Sequence, residues 1–379
     1  MKNFVKLIQQ VHEERYMKVL KKIVTEKMPV VLLSTLKIPD AIGTVKEFRE
    51  QGLNIILLIT TDKPVDETDF EVVTLSNAVK IYPQPEYILT NNGFEIDARV
   101  ALKNFPASKV LSINRGNTEQ AYEIFMTHLD ELQEVYASLI DEESKKTFCG
   151  YWLGNITNQL GKIAFANTPH YMCAGFIPER GAIAIDGGLC DGGTAARFSQ
   201  MGYKVYGFEM DKTNYLTAVK VGEVNNFVVE NLGLGAYDHK MTYSHMLNPG
   251  ASRLDPNGSE ITQIITIDGY VREKNLPRVD FIKLDVEGAE LDVLKGAATT
   301  IARFKPILAL SAYHKWDDFW TLMNFVKSIR PDYEFAMRQF VISKEDGAYH
   351  FNNNLEKNLY NLGLHPALAI YQECVLFAR

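Results

Sequence analysis

Apolar residues in the first third of the chain fall into short runs separated by helical stretches. The runs are Val30–Ser34, Asn54–Thr60, Glu71–Leu75, Tyr87–Thr90 and Lys109–Asn114, most of them rich in Val, Ile and Leu. Between the first two, Pro39–Gln51 carries a helical pattern that Gly52 ends. Buried strands alternating with helices predict a parallel sheet covered on both faces. Residues 1–115 are therefore expected to form a small Rossmann-like α/β accessory domain. The opening stretch, MKNFVKLIQQVHEERYMK, has Lys6 inside its only apolar run. It reads as an amphipathic helix and not as a signal peptide. Residues 116–169 read as a helical connector. Thr118–Ile140 places Ala121, Ile124, Phe125, Leu129, Leu132 and Val135 at helical spacing, and Asp141–Lys146 is a charged break.

A second α/β unit follows from residue 170. Ala182–Ile185 is a buried strand with Asp186 at its carboxyl end, and Gly188 and Gly192 bracket a tight turn. Ala195, Phe198 and Met201 then open a helical face that Gly202 stops, and a second strand, Lys204–Phe208, ends in Glu209. Ligands of open α/β sheets bind at the carboxyl ends of strands, where an acidic residue such as Glu209 can accept hydrogen bonds from ribose hydroxyls. Glycine lets the backbone approach such a ligand with no Cβ in the way. A dinucleotide site wants GxGxxG. Here three residues separate Gly188 from Gly192, and Asp186 stands where it would repel a pyrophosphate. Gly233-Leu-Gly235-Ala-Tyr-Asp238 begins like the fingerprint but ends in aspartate. A carboxylate at the strand tip suits instead the positive amine and sulfonium of S-adenosylmethionine (SAM). The first loop of the N-terminal domain, Leu33–Asp40, has no glycine to cradle a phosphate. That domain is expected to pack or to help recognise substrate without binding a nucleotide.

The next block, Asp280-Phe-Ile-Lys-Leu-Asp-Val-Glu-Gly-Ala-Glu-Leu-Asp-Val-Leu-Lys-Gly296, is a strand that ends in an acidic cluster and runs into a helix. Asp285, Glu287 and Glu290 gather at its tip. A helix dipole favours carboxylates there, so capping accounts for part of the cluster, Glu290 above all. The segments Asp186–Gly193, Tyr206–Asp211, Thr266–Asp268 and Phe281–Gly296 resemble the FkbM family of SAM-dependent methyltransferases. So do Pro306–Lys315, Tyr333–Phe340 and Glu373–Phe377. The resemblance covers residues 170–379 and is most specific in the DVEGAE block. It departs at Gly193, where the family form often has an acidic residue, at Gln339-Phe340 (His-Tyr) and at Cys374 (Thr).

The resemblance implies a class I, Rossmann-like methyltransferase domain over 170–379, with a seven-stranded sheet and SAM across the strand tips. Asp186 is then expected to face the methionyl amine, directly or through water. Gly188 and Gly192 shape the loop under the cofactor, Glu209 holds the ribose hydroxyls and Met210 packs on the adenine. Asn231–Gly235, with Gly233, passes the other side of the adenine. Methylating a sugar hydroxyl requires a base to take its proton, or a metal to acidify it. His314 follows the apolar strand Ile307–Ser311 and is the natural base near neutral pH. Asp285 and Glu287 could act directly or hold a divalent ion through oxygen ligands. One acidic pair is too few ligands to specify a site, so no metal is assigned. His170 and His239 are expected in surface or packing roles, and Trp316 and Trp320 in helix packing or, alternatively, stacked on a sugar ring. Arg338 binds an acidic substrate group or pairs with a carboxylate.

Composition narrows the reading. The 379 residues correspond to two or three domains, at ~150 residues each. A net charge of −7 argues against nucleic acid as the main partner. The four cysteines form no CxxC pair, and their sparsity fits a reducing compartment. No run approaches the ~18 apolar residues of a membrane span. The expectation is a cytoplasmic SAM-dependent methyltransferase that O-methylates a hydroxyl of a sugar or glycan precursor. One alternative is a catalytically silent glycan- or nucleotide-sugar-binding protein on the same fold. Another is an NAD-dependent oxidoreductase, against which the missing GxGxxG stands. Oligomeric state is not legible.

Overall fold

Five strands of the N-terminal region pair in parallel: β1 (Pro29–Ser34), β2 (Asn54–Thr60), β3 (Glu71–Thr74), β4 (Ile88–Asn91) and β5 (Val110–Ile113). Their order is β3-β2-β1-β4-β5. Both faces are apolar because successive side chains point opposite ways. Val30 and Leu32 join one core with Phe48 and Ile23, while Val31 and Leu33 join another with Ala78 and Phe105. The helix Ile38–Glu50 lies one residue ahead of its expected bounds, with Pro39 in its first turn. The opening helix, Lys2–Glu14, buries Phe4, Leu7 and Val11 at helical spacing.

The structure, a computed structural model, describes residues 2–60, 69–82, 84–91, 97, 100–101, 104–106, 110–113, 118–244, 252–340 and 373–379. The chain divides into two compact units. Among the described residues, one comprises those up to 133 and 146–164, the other 134–145, 165–340 and 373–379. No helix among the described residues is long and apolar enough to cross a membrane.

Two local expectations are corrected. The charged segment 141–146 is not a break but the start of the helix Glu142–Thr157. The Asp141 carboxylate accepts the Ser144 N–H at 2.6 Å, and Glu142 and Glu143 sit in the first turn, where the dipole favours them. The stretch Ser244–Glu260, expected as a loop, contains a short strand. Its residues 245–251, with Pro249 and Gly250, lie outside the described residues.

The second unit is built on a seven-stranded sheet. Its strands are β6 (Ile183–Gly187), β7 (Lys204–Phe208), β8 (Val228–Glu230), β13 (Phe281–Leu284), β14 (Ile307–Ser311), β15 (Phe335–Gln339) and β16 (Cys374–Ala378). The order is β15-β16-β14-β13-β6-β7-β8. Only β16 runs antiparallel to its neighbours. The chain winds outward from β6 in both directions, so the crevice expected of such a sheet opens between the tips of β6 and β13. A four-stranded sheet flanks it, with β9 (Gly233–Leu234), β10 (His239–Ser244), β11 (Arg253–Leu254) and β12 (Glu260–Ile265) in the order β11-β10-β12-β9.

Candidate active site

A lysine in the middle of a buried apolar strand needs a counter-charge. Lys283 stands beside Asp186 in the β13–β6 register. Its Nζ lies 2.9 Å from Asp186 Oδ1, with side chains 3% and 0% exposed. The same ammonium donates to the carbonyls of Gly188 at 2.6 Å and Gly187 at 3.3 Å. One buried cation thus pins the glycine loop to the sheet edge. Burial works against the ammonium, but the Asp186 and Asp285 carboxylates outweigh it and hold the Lys283 pKa above its ordinary value. Asp186 is turned inward, engaged by Lys283 rather than aimed out of the crevice. Gly188 has φ +77°, and a Cβ there would collide with the Asp285 carbonyl oxygen. No other residue type allows the loop to pass so close to the tip of β13. Gly192, at φ +86°, precedes the helix Gly193–Gln200.

Glu209 closes β7. Its Oε2 accepts the Cys190 N–H at 2.7 Å and its Oε1 accepts the Asp211 N–H at 2.8 Å. The carboxylate therefore ties the glycine loop to the end of β7 and keeps one further lone pair on each oxygen. Burial pushes its pKa up to about 7. Asn231 Nδ2 donates to the carbonyls of Glu209 at 2.8 Å and Met210 at 3.3 Å. Gly233 opens β9 beside Met210, and a Cβ there would overlap Ile264. Glu209, Met210, Gly233 and the Gly188 loop are thus brought to one edge.

The tip of β13 carries the second half of the site. Asp285 accepts the hydroxyls of Tyr171 at 2.8 Å (Oδ2) and Tyr313 at 3.0 Å (Oδ1). Burial disfavours its charged form, but Lys283 and then His314 outweigh this and hold its pKa below the usual carboxylate range. Glu290 is fully buried, and its Oε1 accepts the Val286 N–H at 2.9 Å. It closes the turn, as capping predicts, but the same oxygen lies 2.8 Å from His314 Nδ1. His314 Nε2 faces Asp285 Oδ1 at 3.5 Å and Glu287 Oε2 at 3.6 Å. Burial again opposes the charge, and Glu287, Glu290 and Asp285 overcome it, pushing the His314 pKa up to about 11. The imidazole is thereby protonated at neutral pH. The free base expected at this position is therefore not what the geometry favours, because three carboxylates stabilise the cation.

The remaining candidates take supporting places. His170 is buried, its ring stacked at 3.9 Å on Tyr171 and its Nε2 3.2 Å from Glu373 Oε2. His239 lies on β10, stacked against Tyr237. Trp320 is buried in the helix Asp318–Ile329. Arg338 pairs with Asp141 at 3.0 Å and Glu143 at 3.1 Å, the carboxylate alternative. In the N-terminal unit, the Thr35 N–H of the glycine-free loop is bonded by Asp97 at 2.7 Å.

Lys283, Tyr171 and Tyr313 were not singled out by sequence reasoning. Lys283 had a signal, a charge inside the apolar run Phe281–Leu284. Tyr171 had none, since it meets Asp285 from 114 residues away.

Residues 186–365 match the model of the methyltransferase FkbM domain. No curated protein matches the chain. Among solved structures, the chain is similar to a methyltransferase FkbM from Methylobacillus flagellatus KT. The identity is 16%, over 100% of this chain and 98% of that one, with a TM-score of 0.62, a likeness of fold. A phosphoethanolamine N-methyltransferase 2 from Haemonchus contortus, in complex with S-adenosyl-L-methionine, aligns at 9% identity over 98% of both chains. Its TM-score is 0.27, too low to bear on this chain. Residues 186–365 of the chain thus carry a methyltransferase FkbM domain.

Proposed function

We propose that the second unit uses SAM to methylate a hydroxyl group of a sugar or glycan precursor. The observation that carries this reading is the placement of two acidic centres on either side of β6. Glu209 closes β7, and the Asp285–Glu287–His314 cluster follows β13, with the Gly188 loop between them. SAM, when bound, supplies an electrophilic methyl group on a sulfonium. Glu209 accepts the ribose hydroxyls with its two remaining lone pairs. Met210 and Gly233 border the adenine, and Gly188 and Gly192 give the loop its shape. Asp186 acts one step removed, as the counter-ion of the lysine that holds that loop.

On the acceptor side, alignment of an oxygen with the methyl group is the main demand. The Asp285 and Glu287 carboxylates are the groups placed to accept a hydroxyl proton as the bond forms. The partly exposed Asp285 and Glu287 carboxylates disfavour anionic acceptors and suit a neutral polyol. The sugar class follows from the family resemblance. Methyl-labelled SAM offered with polyhydroxylated acceptors is expected to give an alkali-stable methyl ether. Label found only in an alkali-labile ester or on an amine would overturn the hydroxyl reading.

Glu209 adds a pH dependence. With its pKa at about 7, it is largely protonated at pH 6 and ionised at pH 8. Ribose donors and a cationic ligand favour the ionised form, so binding releases the proton. SAM affinity is expected to rise about tenfold between pH 6 and pH 8. A flat calorimetric profile over that range would contradict the ribose role.

A further inference from the structure

Three side chains at the tip of β13 and just past β14 each bring one ligand atom to a common point. Ligand atoms of Asp285, Glu287 and His314 lie within 4.8 Å of one another. The acidic pair alone would specify nothing, and the histidine changes that. Its side chain is 10% exposed. Among the described residues, its Nε2 is buried without a hydrogen-bond partner. That atom is aimed between Asp285 Oδ1 at 3.5 Å and Glu287 Oε2 at 3.6 Å, both beyond hydrogen-bond distance. We propose that Asp285, Glu287 and His314 bind a divalent ion of the zinc class, leaving its fourth position open.

The two separations from the histidine, 3.5 Å and 3.6 Å, fit this class. Bonds of ~2.0–2.2 Å at a tetrahedral angle set donor atoms ~3.4 Å apart. One imidazole nitrogen and two carboxylate oxygens suit zinc, whereas magnesium and calcium prefer oxygen alone. The surroundings are those of a held ligand set. A metal-bound histidine usually gives its other ring nitrogen to a carboxylate. Here Nδ1 meets Glu290 Oε1 at 2.8 Å, and the Val286 N–H holds the same oxygen. The Tyr171 and Tyr313 hydroxyls hold Asp285 in the same way. An open fourth position is the layout of catalytic zinc, with room for an oxygen of the acceptor. That last assignment rests on the methyltransferase reading; the ion site does not.

The test uses the full chain, stripped with EDTA and titrated with Co²⁺ in the absence of SAM. One equivalent is expected to give the visible bands of a four-coordinate ion, without the near-ultraviolet absorption of thiolate ligands. Glu287→Gln, at a partly exposed position, is expected to weaken binding tenfold or more. His314→Ala is expected to abolish it. Absence of bands up to millimolar Co²⁺, thiolate absorption, or bands undiminished in either variant would overturn the proposal. SAM calorimetry on the stripped protein keeps the two readings apart, because it reports on the Glu209 side alone.

Discussion

Replacing Lys283 with methionine is expected to cost the second unit about 3–5 kcal/mol, read from the denaturant midpoint. Asp186 is fully buried, and Lys283 is the cation it faces. Methionine keeps the volume but leaves a carboxylate without its counter-charge. It also frees the Gly187 and Gly188 carbonyls that the ammonium holds. The pair Lys283→Met with Asp186→Asn removes both charges and should recover most of the loss. A single variant as stable as the parent would show that the pair does not anchor the loop.

Asp285→Asn is expected to lower kcat by ~10²–10⁴-fold, the range for loss of a proton-accepting group. SAM affinity should stay within about threefold, because no cofactor contact is assigned to this side chain. The amide preserves the shape, and its oxygen and nitrogen can still meet the Tyr171 and Tyr313 hydroxyls. What it removes is the charge facing His314 Nε2. Steady-state kinetics beside calorimetry separates the outcomes. Parallel loss of turnover and cofactor affinity would assign Asp285 to the scaffold instead.

Strand tips were legible in the sequence, and side-chain directions were not. Glycine spacing after β6, the glutamate ending β7 and the DVEGAE block are local patterns, and each lies at the sheet edge where the ligand rule places it. Asp186 shows the limit. Its position at a strand end is local, but its partner is set by the register between β6 and β13, which pairs it with Lys283, a residue far along the chain. His314 shows another. A histidine after a strand suggests a base, yet its proton affinity depends on three carboxylates, and Glu290 reads from sequence as a cap alone. Tyr171, His170 and Glu373 come from opposite ends of the unit and carry no shared pattern. In the N-terminal unit the apolar runs located all five strands to within a residue or so, because buried parallel strands are marked by unbroken hydrophobicity.

Everything proposed for the second unit requires a cationic methyl donor held at the edge of its sheet by Glu209. Titration of SAM into the full chain and into Glu209→Ala by calorimetry tests it most directly. Saturable binding to the parent is expected, with binding at least about tenfold weaker to the variant, as loss of hydrogen bonds to a charged acceptor requires. Equal affinity in the two proteins, or no heat from the parent at saturating SAM, would contradict it.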